Sequence, residues 1–192
     1  METTDEHLII EACQQSRLED FALLYDKYHV PIYRYVYYRT FDKETAEDLT
    51  SQTFLKALER IRTFDPQRGN FGAWLYRIAR NAVIDHVRAK RPVERMDEDW
   101  DRASGENVAG DVATRMEFRR IREALDGLDP LKRDIVLLRL WDNLSYKEIA
   151  AIVGKTEGNC KVIFSRTVEG LRSRFGPQAL LALLLLLSSL HP

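Results

Sequence analysis

Along most of the chain, apolar residues recur at spacings of three and four, the period of a helix that buries one face. Strand signals are nearly missing. There is no sustained period-two alternation, and no pair of apolar runs is joined by an Asn-Gly or Asp-Gly hairpin. The pattern predicts helices over about 5–16, 18–39, 43–63, 70–89, 115–127, 130–140, 145–153 and 157–174. Their breaks have local reasons: Asp65-Pro66 with Arg68-Gly69 stops the third helix, Leu128-Asp129-Pro130 separates two later ones, and Gly154 stands where a C-terminal cap belongs. The fold class is all-α.

Two of these helices carry distinct faces. At 100° per residue, Ala46, Thr50, Thr53, Phe54, Ala57 and Ile61 gather on one side of the third helix as its core face. The other side collects Asp48, Gln52, Leu55 and Glu59, an acidic and polar stripe around one leucine. Such a stripe either grips a basic helical partner or is a solvated face with a stray apolar residue. In the fourth helix the core positions are Trp74, Leu75, Ile78, Ala82 and Ala89, with Ala79 and His86 at the margin. Arg77, Arg80, Asn81, Arg88 and Arg91 take the opposite face, alongside the aromatics Phe71, Trp74 and Tyr76. Cations beside flat rings suit a nucleic-acid strand with unstacked bases. The alternative is a solvated basic helix whose aromatics are all core. Asp85 is expected near the core margin, paired with an arginine.

With 192 residues, 45% of them hydrophobic and 31% charged, the chain has room for two modest cores and a well-solvated surface. Cys13 and Cys160 lie far apart, and His7, His29, His86 and His191 are scattered, so neither a disulfide scaffold nor a closely spaced zinc site is offered. No cofactor and no metal are expected. The first residues lack the order of a secretion signal, which places the protein in a reducing cytoplasm. The net charge of −1 hides an asymmetry. Residues 1–92 hold 14 basic and 14 acidic side chains, 93–114 hold 2 and 7, and 115–192 hold 13 and 9, giving balances of 0, −5 and +4. The middle block, VERMDEDWDRASGENVAGDVAT, reads as a flexible acidic linker between domains over 1–92 and 115–176, with an apolar tail over 177–192. Its acid either keeps the linker soluble or has a role of its own.

The second domain contains a short helix from Ser145, a turn at Val153-Gly154-Lys155, and a longer helix opened by Thr156 and Glu157, an order that fits a DNA-reading helix-turn-helix. Ile149, Ala150 and Val153 face a stripe of Cys160, Ile163, Phe164, Thr167 and Leu171, which makes Cys160 a small core residue. Asn159, Lys161, Val162, Ser165, Arg166 and Glu169 are left outward, with Lys155 and Thr156 near the helix N-terminus, where a DNA phosphate is favoured. Similar short motifs occur in helix pairs that bind no DNA.

Taken in order, AEDLTSQTFLKAL, FGAWLYRIARNAVIDHVRAKR and LDPLKRDIVLLRLWDNLSYKEIAAIVGKTEGNCKVIFSRTVEGLR resemble bacterial RNA polymerase sigma factors of the extracytoplasmic-function branch, over about Leu18 to Phe175. The resemblance implies a sigma factor that binds core RNA polymerase and directs promoter-specific initiation, recognising and melting promoter DNA. It implies that the first domain is region two, docking through Asp48, Gln52, Leu55 and Glu59 to the clamp of the beta-prime subunit. The segment with Asn70, Phe71, Trp74, Tyr76, Arg77, Arg80, Asn81, Arg88 and Arg91 would then contact the minus-ten element, capturing an extruded base near the loop before Asn70 to Trp74. The second domain would be region four, resting on the beta flap and reading the minus-thirty-five element through Lys155, Thr156, Glu157, Asn159, Lys161, Val162, Ser165 and Arg166. The linker would thread towards the RNA exit path.

Two departures from the family stand out. Many members carry Thr-Val-Lys-Ser-Arg in the recognition helix, where this chain has Asn159-Cys160-Lys161-Val162-Ile163; Asn159 is the better candidate for a base-edge hydrogen bond, with Val162 against a thymine methyl. The other is PQALLALLLLLSSLHP, apolar on all sides from Ala179 to Leu187 and shorter than a bilayer span. Packing onto its own domains, or onto a partner such as an anti-sigma factor, is the first reading of that tail, and membrane contact the second. No phosphate-cradling loop or nucleophile elbow supports an enzyme, so no catalytic residue is proposed. A protein-only sigma mimic or an ordinary repressor each leaves half of the chain unexplained.

Overall fold

The computed structural model describes residues 3–89, 119 and 122–189, with the backbone alone for 3–5, 68 and 175–189. Every regular element among the described residues is helical. The chain divides into two compact units, Met1–Val93 and Glu94–Pro192. Arg91, the acidic linker 93–114, the expected boundaries near Pro92 and Thr114, and most of the helix expected over 115–127 lie outside the described residues; within that last stretch 122–126 are helical.

Unit 1 is built from α1 (Thr3–Gln14), α2 (Phe21–Thr40), α3 (Lys43–Arg60) and α4 (Phe71–Ala89). The helices expected over 18–39 and 43–63 each prove to be an α-helix joined to a short 3-10 turn, Leu18–Asp20 before α2 and Ile61–Thr63 after α3. A third 3-10 turn, Pro66–Arg68, sits in the connection to α4. The core is made by Leu24, Ile32 and Tyr35 of α2, Ala46 and Leu49 of α3, and Leu75, Ala79 and Val83 of α4, all buried, with Ile10 and Cys13 of α1 closing one side.

The α2–α3 connection takes only two residues. Phe41 adopts a left-handed backbone (φ 51°) and its N–H reaches the Tyr37 carbonyl, while the Asp42 side chain accepts from the Thr45 N–H at 2.7 Å and starts α3. A non-glycine residue at positive φ costs roughly 1–2 kcal/mol, offset here by burial of the Phe41 ring against Tyr37 and Tyr38.

Unit 2 contains α5 (Pro130–Leu140), α6 (Tyr146–Val153) and α7 (Glu157–Ser189). Asp129 caps α5 by accepting from the Leu131 N–H at 2.9 Å, with Pro130 in the first turn, where its missing N–H costs nothing. Ser145 and Glu148 form a full capping box at the start of α6. Gly154 ends that helix in the left-handed conformation (φ 68°, ψ 42°), and the Gly154 and Lys155 N–H groups both donate to the Ala150 carbonyl. Ile149, Ile152 and Val153 pack with Leu137 and Leu138 of α5 and with Cys160 and Leu171 of α7 in the buried core of this unit.

One expectation is corrected at the end of the chain. The last helix does not stop near Arg174: it runs on through Pro177 to Ser189. Proline removes a single backbone donor, and the alanines and leucines after it are among the strongest helix formers, so the ladder resumes beyond it.

Candidate partner and nucleic-acid interfaces

Three surfaces gather the candidate residues. The first is the outer face of α3. Ala46, Thr50, Thr53, Phe54, Ala57 and Ile61 are buried, which turns Asp48, Gln52, Leu55 and Glu59 to solvent. Leu55 is 60% exposed between the carboxylates. A large apolar side chain ringed by acid is the arrangement expected of a contact with a basic helix.

The second surface is the loop 61–70 and the outer face of α4. Asn70 caps the helix, its Oδ1 accepting from the Ala73 N–H at 2.6 Å, and is itself exposed. Arg77, Asn81 and Arg88 are exposed and Arg80 half-buried, so the basic face is real. The aromatic part of the expectation needs correction. Phe71 is 1% exposed and Tyr76 2% exposed. Phe71 is enclosed by Tyr28, Phe64 and Trp74, with ring centroids 5.5–5.6 Å away, and Tyr76 packs edge-on against Tyr35 at 5.6 Å. Rings held in the core offer no free face to a base. Of the three, Trp74 alone is half-buried rather than buried, tilted against Phe64 at 5.4 Å. Ala89, expected in the core, is exposed, and Asp85 is exposed rather than at the core margin.

The third surface is the start of α7. Thr156 Oγ1 accepts from the Asn159 N–H at 3.2 Å, and the Cys160 N–H bonds to the Thr156 carbonyl at 3.0 Å, fixing the first turn. Lys155, Thr156, Glu157, Asn159, Lys161, Val162, Ser165 and Arg166 are all exposed, and Val162 is 49% so. Glu157 holds Lys161 in an ion pair of 2.9 Å one turn along, so the lysine is shared between that carboxylate and any phosphate. Tyr146 of α6 packs edge-on against Phe164 and lies under the Arg139 guanidinium at 4.9 Å. That arginine also donates to the Leu144 carbonyl at 2.9 Å, which ties α5 to the turn before α6. Sequence reasoning missed this brace because its members come from three elements, and it missed Lys132 and Arg174, which line a cavity of about 200 Å³ with Arg166.

Cys13 and Cys160 are free and buried, and burial raises both thiols above their ordinary range, Cys13 further through Asp20 and Cys160 further through Glu157. Protonated thiols are poor nucleophiles at neutral pH. Among the described residues, no three His, Cys, Asp or Glu side chains gather into a metal-holding group.

Against known proteins, residues 24–93 match Sigma-70 region 2 and residues 118–169 match Sigma-70, region 4. The ECF RNA polymerase sigma factor BldN of Streptomyces coelicolor is 40% identical over 177 residues, 85% of this chain and 63% of BldN. The chain thus spans less than two thirds of that relative's length. SigM of Bacillus subtilis, also an ECF RNA polymerase sigma factor, is 30% identical over 156 residues, 79% of this chain and 93% of SigM. Among solved structures, the sigma factor RpoE of Bartonella quintana, crystallised with the anti-sigma factor NepR, superposes with a TM-score of 0.63 at 26% identity, covering 81% of this chain and 96% of that one. CnrH, solved with the cytosolic domain of CnrY, shares the fold with a TM-score of 0.69 at 22% identity, over 88% of this chain and 95% of CnrH.

Proposed function

This chain belongs to the ECF RNA polymerase sigma factors, and we propose that it binds core RNA polymerase and directs initiation at its own set of promoters. The observation that carries this reading is the pairing of two family regions, in order, on two helical units whose exposed faces differ in chemistry. The α3 face, with Leu55 between Asp48, Gln52 and Glu59, docks on the beta-prime clamp. Asn70, Trp74, Arg77, Arg80, Asn81 and Arg88 engage the minus-ten element once it opens: cations hold the backbone and one aromatic edge meets a base. Phe71 and Tyr76 support this surface from beneath and do not touch DNA. The α7 residues Lys155 to Arg166 read the minus-thirty-five duplex, with Asn159 at a base edge and the cations at phosphates. Unit 2 rests on the beta flap. Bond-forming chemistry stays in the core enzyme, so no residue here is catalytic, and the site of action is the cytoplasm.

An anti-sigma factor is the further partner we propose, since RpoE was crystallised with one. No described helix is long and apolar enough to cross a membrane. We propose packing against protein as the role of the apolar end of α7.

The test is run-off transcription of fragmented genomic DNA by bacterial core polymerase, with and without this protein and with Leu55→Asp. Discrete new starts sharing two upstream elements, lost with Leu55→Asp, are the expected result. Core binding without any new start would replace this reading with that of a protein-only mimic.

A further inference from the structure

The region-two match begins at residue 24, so α1 lies outside it, yet both ends of α1 bear on the stretch 61–72 that precedes and opens α4. At its C-terminal end, Gln14 Nε2 donates to the Ile61 carbonyl at 3.0 Å and to the Phe64 carbonyl at 2.7 Å. Two residues on, Ser16 Oγ accepts from Arg62 Nη2 at 2.6 Å. At its other end, Glu6 accepts from the Tyr28 hydroxyl at 2.9 Å and pairs with Lys27. The Tyr28 ring then lies against Phe71, and a Cβ on Gly72 would come within 3.1 Å of it. Within the loop, the Phe64 N–H bonds to the Ile61 carbonyl, the Gln67 N–H to Asp65 Oδ1 and the Thr63 hydroxyl to the Arg60 carbonyl, while Ile61 and Phe64 are buried and Phe64 packs against Phe71 and Trp74.

We propose that α1 is a latch for this loop, and that Gln14 is a positioning residue for capture of the opened minus-ten strand. The inference rests on the promoter-opening reading above. One amide satisfies two carbonyls from residues three apart, which fixes the bend at Ile61–Phe64; Phe64 in turn packs against Phe71 and Trp74 in the first turn that Asn70 caps. Without the amide donor, the Phe64 carbonyl loses its partner and the Ile61 carbonyl keeps only the Phe64 N–H, so the bend loosens and the surface that meets a base is no longer preorganised. Gln14 touches no DNA itself.

The experiment uses the full chain bound to core polymerase, with Gln14→Glu, which keeps the shape and removes both donors, and Gln14→Ala. Three quantities are read: affinity for a single-stranded non-template minus-ten oligonucleotide taken from the mapped promoters, affinity of the protein for core, and amide hydrogen exchange over 61–70. The expected result is an about tenfold loss of strand affinity with core affinity within about twofold and faster exchange in the loop, as for loss of one or two hydrogen bonds. Unchanged strand affinity, with or without faster exchange, overturns the proposal. A fall in core affinity that matches the fall in strand affinity also overturns it, by making Gln14 a general support of unit 1. A wild-type complex that binds no strand, while loop exchange still responds to Gln14, leaves the latch standing and removes the promoter-opening reading instead.

Discussion

The helices α4 and α7 are built from nearly the same parts and end up as different tools. Each is basic on its outer face and each begins with a side-chain cap, Asn70 Oδ1 to the Ala73 N–H and Thr156 Oγ1 to the Asn159 N–H. In α4 the residues behind the cap are aromatic and turn inward, and the preceding loop is pinned by a distant helix, so the usable surface is one tryptophan edge and a row of cations. In α7 they are small or polar and turn outward, and the turn before them is set by a single left-handed glycine. Stacking and cations hold an opened strand whatever its sequence, whereas a duplex is read by hydrogen bonds from a helix seated in its groove. The difference lies in what stands behind each cap rather than in net charge.

The strongest way to break this comparison is to empty the aromatic core of α4. Phe71→Ala is expected to destabilise the protein by about 3–5 kcal/mol, seen as a lower thermal midpoint, because a fully enclosed ring is lost from among Tyr28, Phe64 and Trp74. A small effect would mean that the ring is free to face a base after all. Next, Trp74→Ala should weaken binding of a single-stranded minus-ten oligonucleotide by about 2 kcal/mol and leave binding of a minus-thirty-five duplex unchanged, both read by fluorescence anisotropy. Equal losses on both ligands would erase the contrast between the two helices.

On the other side, Asn159→Ala should shift sequence preference, costing about 1–2 kcal/mol on the best site and less on variants at one or two base pairs; binding to a library of minus-thirty-five duplexes reports this. Uniform losses would reassign Asn159 to a backbone contact. The smallest effect is expected for Gly154→Ala, about 1 kcal/mol of stability, since a Cβ meets no atom within 4 Å and the cost is the backbone at φ 68° alone. A chemical-denaturation midpoint measures it.

Much of this was legible without coordinates. The division of α3 into a buried face and the Asp48, Gln52, Leu55, Glu59 stripe follows from 3.6-residue periodicity, and the caps at Ser145 and Gly154 follow from local turn chemistry. Aromatics were harder to place. Phe71, Trp74 and Tyr76 follow one another at steps of three and two, so their faces are settled by which neighbours reach them, and two went to the core. The end of α7 differs from the expected stop near Arg174 because a long run of helix formers carries the helix on through Pro177.

The sequence by itself determined that the chain is helical, that it splits into two parts, and which side of α3 is wet, because those properties depend on residues within about two turns of one another. Tertiary structure alone decided that Gln14 serves the carbonyls of Ile61 and Phe64, 47 and 50 residues away, that Tyr28 roofs Gly72, and that Trp74 rather than Phe71 or Tyr76 stays half-buried. The physical reason is that a backbone carbonyl or a ring edge carries no mark in the sequence of what will cover it: only packing brings the donor to it.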